Sequence, residues 1–263
     1  MTRRDAHLNL IDSSRQLFEL DPGAEIEVGP GWVFGAGRSP HPVISNAAFR
    51  VDDELDPGEL LERAQGFFAS REHGFAVWAR DGAAGDSDLI DAAKEAGLKE
   101  VYAMPAMVLD RRAEAHPLPA GVQLRRVASA SDAADYWQVA TGAYASIGFP
   151  PEIFAFYENH DGLAAGNAAA FVADLDGRPA GIAMTLVSHG VAGIYWVGTS
   201  DDARGRGLGW TVTATAVNAG FDMGAEIASL QASPMGESLY LRMGFETIFN
   251  YRLLMATPPQ ADR

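Results

Sequence analysis

Hydrophobic and polar positions along the chain fall into short runs of two periods. In "PGELLERAQGFFASR", Leu60, Leu61, Ala64, Phe67 and Phe68 recur at helical spacing. "DSDLIDAAKEAG" repeats that pattern, with Asp86 or Ser87 as its cap, and a further helix is expected over roughly residues 5–20. Strands are expected in "AEIEVGPGWVFGAG", turned at Gly29–Pro30–Gly31, and in "VISNAAFRV", "FAVWA" and "KEVYAMPAMVL". Further on, "VQLRRV" is a strand, and residues 130–160 give one or two helices broken at "GFPPE", where Pro151 suits a first turn. "AAAFVADL" and "PAGIAMTLV" are strands joined by the hairpin signal Asp176–Gly177, and His189–Gly190 turns into "VAGIYWVG". A glycine-rich stretch and a helix to about Phe221 follow, then strand "EIASLQAS", short helix "GESLYLRM" and strand "FETIFNYRLLMA". Such an order predicts a mixed α/β fold with a mostly antiparallel central sheet flanked by helices, not a doubly wound repeat.

The stretch "RRAEAHPLPAG" holds two prolines and little apolar pattern, so it reads as a linker between two domains, residues 1–112 and 122–263, with 113–121 between them. The ends of the two halves echo each other. "DLIDAAKEAGLKEVYAMPAMVL" and "ESLYLRMGFETIFNYRLLMA" both run helix, glycine, large apolar residue, long strand, with Gly97 against Gly244 and Leu98 against Phe245. The first copy has Ala93 where the second has Tyr240.

Composition narrows the function. The 263 residues carry a net charge of −15 and no cysteine. Nucleic acid, which needs a basic surface, is not the expected partner, and thiol nucleophiles, disulfides and thiolate metal sites are excluded. No apolar run approaches a membrane span. "MTRRDAHLNLIDSS" has no uninterrupted apolar core after its basic residues, so no signal peptide is read and a cytoplasmic location is expected. The six histidines are scattered without metal-ligand spacing, and no G-x-S-x-G elbow occurs, so neither a metal nor a hydrolase triad is expected.

One stretch asks for a chemical reason: "ARGRGLGWTVT", where three glycines alternate with larger residues ahead of a helix. Such a helix start presents unpaired backbone N–H groups and partial positive charge, to which phosphate binds. Glycines remove the Cβ atoms that would hold a phosphate off, and Arg204 and Arg206 add charged donors. The spacing fits neither G-x-G-x-x-G nor a Walker loop; it is R-x-x-G-x-G, carried by Arg204, Gly207 and Gly209.

With that loop preceded by "YWVGT" and followed by "SPMGESLYLRMGFE", residues 122–254 resemble the GNAT family of acyl-CoA-dependent N-acyltransferases. The resemblance implies that Arg204, Gly205, Arg206, Gly207, Leu208, Gly209 and Trp210 surround the coenzyme A pyrophosphate. It implies that Val197, Gly198 and Thr199, at the splayed end of the fourth strand, pair with the pantetheine arm. The helix bearing Tyr240, then Gly244–Phe245, matches a family feature near the thioester, while Ser233 stands where the family often has asparagine. The first half resembles the degenerate N-terminal GNAT-like domain of tandem proteins, without a diphosphate loop or tyrosine.

The implied reaction is transfer of an acetyl group from acetyl-CoA to an amine of a small molecule or peptide by direct attack. Tyr240 is the expected acid at the leaving sulfur, the N–H of Val197 or of a neighbour in "WVGT" the oxyanion donor, and Tyr195 a catalytic or water-holding group whose strand neighbour Trp196 points to the other face. Glu158, His160, Asp161 and His189 read as solvated or turn residues, and Tyr136, Trp137, Tyr144, Phe154 and Tyr157 as core aromatics able to wall a pocket. A polyamine, an aminoglycoside or a protein lysine are the acceptors considered, and a monomer or homodimer the expected assembly. The alternative is a non-catalytic acyl-CoA sensor or scaffold.

Overall fold

The computed structural model describes residues 3–82, 85–157 and 160–257. In chain order the elements are α1 (Arg3–Phe18), β1 (Glu25–Gly29), β2 (Trp32–Ala36), β3 (Asn46–Arg50), α2 (Pro57–Ala69), β4 (Phe75–Arg80), α3 (Ser87–Glu95) and β5 (Lys99–Leu109). The second half continues with β6 (Val122–Arg126), α4 (Ala130–Ala145), β7 (Ala168–Leu175), β8 (Arg178–Ser188), β9 (Val191–Thr199), α5 (Leu208–Asp222), β10 (Ile227–Gln231), α6 (Glu237–Met243) and β11 (Glu246–Ala256). The break expected at "GFPPE" is real: α4 ends there and a short 3-10 helix, Pro151–Phe156, begins on Pro151. Both hairpin turns of the second half have two consecutive residues at positive φ, Asp176–Gly177 and His189–Gly190, the backbone twist that matches the strands they join.

The eleven strands of the described residues form one sheet, in the order β1-β2-β3-β4-β11-β5-β10-β9-β8-β7-β6. Each half therefore sends its last strand into the other. β5 lies antiparallel against β10, and β11 lies antiparallel against β4, with β5 and β11 paired at the centre. The echo in the sequence marks this exchange. Gly97 and Gly244 both take left-handed backbone, at φ 84° and 91°, where α3 and α6 end. Leu98 and Phe245 are buried just behind them.

Three apolar clusters fill the layers. One joins α2 and α3 to the first-half strands, a second packs α5 and α6 on the second-half sheet, and the third spans both halves from α1 to α4. A buried ionic network stiffens the first half: Arg80 donates to Asp86 at 2.7 Å and to Asp53 at 2.6 Å, and Arg50 reaches Asp88 at 2.9 Å.

Candidate active site

The site begins with a parting of strands. β9 and β10 run parallel and pair at Ile227–Val191, Ala228–Ala192 and Ser229–Gly193. Beyond Gly193 they separate, while Leu230 and Gln231 keep the pairing with β5 on the other edge of β10. Two parallel strands that diverge leave unpaired backbone on facing edges, which an extended polar ligand can bridge. On its other side β9 pairs with β8, and there the register slips between Tyr195 and Gly198. Trp196 sits at that irregularity with φ 49°, a strained position for an aromatic residue.

This bulge overturns one expectation. Strict alternation sends Tyr195 and Trp196 to opposite faces, but both lie on the same cluster of buried residues. Trp196 packs its ring against Tyr144, Phe154 and Tyr157. The bulged carbonyls accept hydrogen bonds from α4: Tyr136 donates to the Trp196 oxygen and Tyr144 to the Val197 oxygen, each at 3.4 Å. Gly193 makes room for the Tyr195 ring, since a Cβ there would stand 2.4 Å from it.

After β9 the chain makes a 3-10 turn, Asp201–Ala203, and enters α5 through the arginine–glycine loop. Gly205 and Gly207 have φ 74° and 84°, so both need the freedom of glycine. Gly207 is the N-cap of α5 and supplies no side-chain cap, so no capping side chain accepts from the first N–H groups of the helix. The corresponding start in the first half is closed: Asp56 caps α2 by accepting from the Glu59 N–H at 2.9 Å. The two loops thus differ in the property an anion needs, which is free N–H groups beside positive charge. Arg204 is held in place by Asp201 at 2.7 Å and by Ser146 at 2.5 Å. Arg206 and both aspartates of the turn are exposed.

A cavity of about 1070 Å³ connects these parts. Tyr195, Val197, Gly198, Thr199, Arg204, Gly205, Gly207, Leu208, Gly209, Trp210, Ser233 and Tyr240 all lie on its wall. Arg206 does not. Tyr240 is buried on α6 against Phe245, and among the described residues its hydroxyl makes no hydrogen bond. Burial holds that hydroxyl well above the usual phenol range, so it keeps its proton at neutral pH. Ser233 is committed locally, accepting from the Gly236 N–H at 3.2 Å as it turns the chain into α6. Tyr144 and Tyr157 reach the cavity, whereas Tyr136, Trp137 and Phe154 stay in the core behind it.

Several wall residues carry no signal in the sequence. His116, between β5 and β6, stacks on Trp210 with centroids 4.4 Å apart, and the Trp210 indole donates to the Glu114 carbonyl at 3.0 Å. The segment between β5 and β6 therefore straps across the start of α5. The far end of the cavity is built by the first half, with Leu17, Phe18, Ile44, Phe49 and Trp78 among its walls. Of the residues weighed as acid–base groups, Asp161 is exposed, Glu158 and the His160 side chain lie outside the described residues, and His189 pairs with Asp12 at 2.9 Å. Among the described residues no cluster of three His, Asp or Glu side chains can hold a metal ion, and no helix is long and apolar enough to cross a membrane.

Comparison with known proteins bears on the fold. The acetyltransferase (GNAT) domain family matches residues 109–232. No curated protein sequence matches the chain. Among solved structures, a GCN5-related N-acetyltransferase from Kribbella flavida superposes with TM-score 0.70 at 21% identity, covering 95% of this chain and 96% of that one. A tandem GNAT protein from the clavulanic acid biosynthesis pathway gives 0.64 at 13% identity over 95% and 96% of the two chains. A GCN5-related N-acetyltransferase from Sphaerobacter thermophilus gives 0.64 at 15% identity over 90% and 84%. The arginine–glycine loop and the parted strands lie within the residues that match the acetyltransferase (GNAT) domain family, and the fold of both halves is that of GNAT structures.

Proposed function

We propose that the protein transfers an acetyl group from acetyl-CoA to an amine by direct attack, as a cytoplasmic monomer or homodimer whose first half, residues 1–112, lacks a coenzyme site. The observation that carries this reading is the contrast between the two helix starts: α5 opens uncapped on Gly207 into the cavity, while α2 is closed by Asp56. The residues fit the coenzyme. The Gly205–Gly209 backbone and Arg204, with Arg206 from the rim, would hold the pyrophosphate, and the freed edge of β9 from Val197 to Thr199 would pair with the pantetheine amides. Ser233 would line that arm near α6.

Acetyl-CoA supplies an acyl group already activated as a thioester. The chain's own residues then have three tasks. The Val197 N–H, in the bulge, would donate to the carbonyl oxygen as negative charge grows there. Tyr240, kept protonated by burial, would give its proton to the departing sulfur. Tyr195, whose hydroxyl donates to Asn9 at 2.9 Å and has the Ser13 hydroxyl beside it, would hold β9 in place where the amine enters.

Calorimetry with CoA and thiol release from acetyl-CoA across an amine panel test this together. Binding with turnover is expected. Binding without turnover on any amine favours an acyl-CoA sensor, and absence of binding removes the reading.

A further inference from the structure

The acceptor end of the cavity departs from the charge of the protein around it. The chain has 35 acidic residues and a net charge of −15. Yet among the described residues no aspartate or glutamate lines the cavity, and its charged wall residues are Arg204 and Arg242, with His41 and His116 as the remaining titratable bases. Arg204 and His116 belong to the loop and strap at the coenzyme end. Beyond Tyr195 and Trp196 the walls include Leu17, Phe18, Ile44, Phe49, Trp78 and Met104, with Ser14 as an uncharged polar side chain. The rim is also apolar: Val101, Tyr102, Ile147 and Met235 line the cavity and are 39%, 43%, 37% and 55% exposed. Large apolar side chains left in water around one opening mark a surface for an apolar ligand.

Among the described residues the polar side chains on the walls of this end carry no negative charge and no free base; Asp12 and Asp21, whose charge reaches Tyr195 and Tyr157, line no part of the cavity and are paired with His189 and Arg38. Tyr195 gives its proton to Asn9, and Tyr144 gives its own to the Val197 carbonyl. The Nδ1 of His41 accepts from the backbone N–H groups of Val43 and Ile44, at 3.4 and 3.3 Å. The neutral ring then carries its proton on Nε2 and can donate but not take one. Burial lowers the His41 pKa, which keeps the ring neutral.

An alkylammonium fits such a place badly. With a reference pKa of ~10.4 it is almost wholly charged at neutral pH, and a cation buried without a partner costs several kcal/mol. We propose that the acceptor is an amine uncharged at neutral pH on an aromatic body, an arylamine in chemical class. This rests on the transfer reaction proposed above. The arylamine nitrogen, whose lone pair is free though delocalised, forms the N–C bond; the C–S bond breaks; and the proton the nitrogen sheds ends, by way of Tyr240, on the coenzyme sulfur. Amine and acetyl-CoA give the N-acetyl arylamine and free CoA, with no outside base required.

The test uses the full chain, acetyl-CoA and four amines: p-anisidine, spermidine, an aminoglycoside and a lysine peptide, with CoA calorimetry alongside. Expected is a kcat/KM for p-anisidine at least about 100-fold above the three cations, the factor that burial of an unpaired charge predicts. Ile44→Asp, checked for an unchanged CoA Kd, should reduce p-anisidine turnover at least about tenfold by placing a charge in the wall. Glu158→Gln should leave turnover unchanged. CoA binding with spermidine, aminoglycoside or peptide acetylated as well as p-anisidine, or no amine acetylated, overturns this proposal. So does loss of activity in Glu158→Gln. Octanoyl-CoA turned over faster than acetyl-CoA assigns the apolar end to an acyl chain and overturns it too. Absence of CoA binding overturns the underlying reaction instead.

Discussion

The hydroxyl of Tyr195 on β9 donates a 2.9 Å hydrogen bond to the Oδ1 of Asn9 on α1, joining a strand of the cavity wall to the first helix of the other half. Asn9 is fully buried, and its amide nitrogen donates onward to the carbonyls of Leu186 and Val191 at 3.1 and 3.0 Å. One side chain thus clips α1 to β8 and β9. Replacing Asn9 by leucine leaves the Tyr195 hydroxyl and two buried carbonyls unsatisfied, at about 1–3 kcal/mol per group. Asn9→Leu should lower the unfolding free energy by about 3 kcal/mol or more in urea titration. An unchanged midpoint would show that the clip carries no weight. Tyr195→Phe should cost less stability, and should lower kcat less than loss of Tyr240.

Tyr240→Phe isolates a proton. The ring stays packed on Phe245, so folding and coenzyme affinity should hold. Loss of a general acid typically costs about 10²–10⁴ in rate, so kcat should fall at least about 100-fold while the CoA Kd stays within about twofold. Comparable losses in both quantities would make Tyr240 a binding residue.

The loop separates strain from charge. Gly207→Ala forces a Cβ into φ 84° and to 3.3 Å from Pro119, so both stability and CoA affinity should drop. Backbone in that region costs a non-glycine residue about 1–2 kcal/mol. Arg206→Ala, on an exposed side chain, should weaken CoA about tenfold with no change in Tm, an effect that added salt reduces. CoA binding equal to the parent protein in both variants would move the pyrophosphate elsewhere.

Local signals made much of this readable. Paired turn residues such as Asp176–Gly177 and the helix-ending Gly97 and Gly244 encode their conformations within a few positions, so strands and helices fall close to where periodicity puts them. The arginine–glycine loop is local in the same sense, because bare backbone is written as glycine. The exchange of β5 and β11 is written nowhere locally. Both strands pair with partners far along the chain, and an alternating strand shows which face is buried, not which neighbour it takes. Trp196 breaks alternation because a bulge adds a residue without changing composition. The roles of Asn9, His116 and Ile44 exist only once the two halves meet.

Acid should unfold the protein earlier than its carboxylates alone require. His7 is fully buried, with Nδ1 at 3.0 Å from the Tyr251 hydroxyl and Nε2 at 2.9 Å from the Arg50 carbonyl. Burial, then the nearby Arg80 charge, lower its pKa from 6.5 to about 4. The unfolded chain takes up a proton below about pH 6.5 that the folded chain refuses, so stability is full above that pH and lost as pH falls toward 4. His41 and His73, lowered chiefly by burial, act in the same direction. Asp53 and Asp88, lowered by Arg80 and Arg50 against their desolvation, lose their contribution only further into acid. Melting temperature against pH should therefore decline between pH 6.5 and 4, and the decline should be shallower in His7→Gln. Parallel curves for the two proteins would assign the loss to other groups.

Strand exchange makes the two halves interdependent in a way that cutting the chain exposes. A fragment of residues 110–263 keeps the loop, Tyr240 and the parted strands, but loses β5 from between β10 and β11 and β4 from the far edge of β11. Two central strands would then present unpaired N–H and C=O groups, and the buried faces of Leu253 and Leu254 would meet water. That fragment should show no cooperative unfolding transition and should aggregate. Supplying residues 1–109 as a separate chain restores β5 to its slot, so co-expression should yield a soluble complex that binds CoA. A soluble, cooperatively folded 110–263 fragment would mean that the second half completes its own sheet, and that the exchange decorates the fold without holding it.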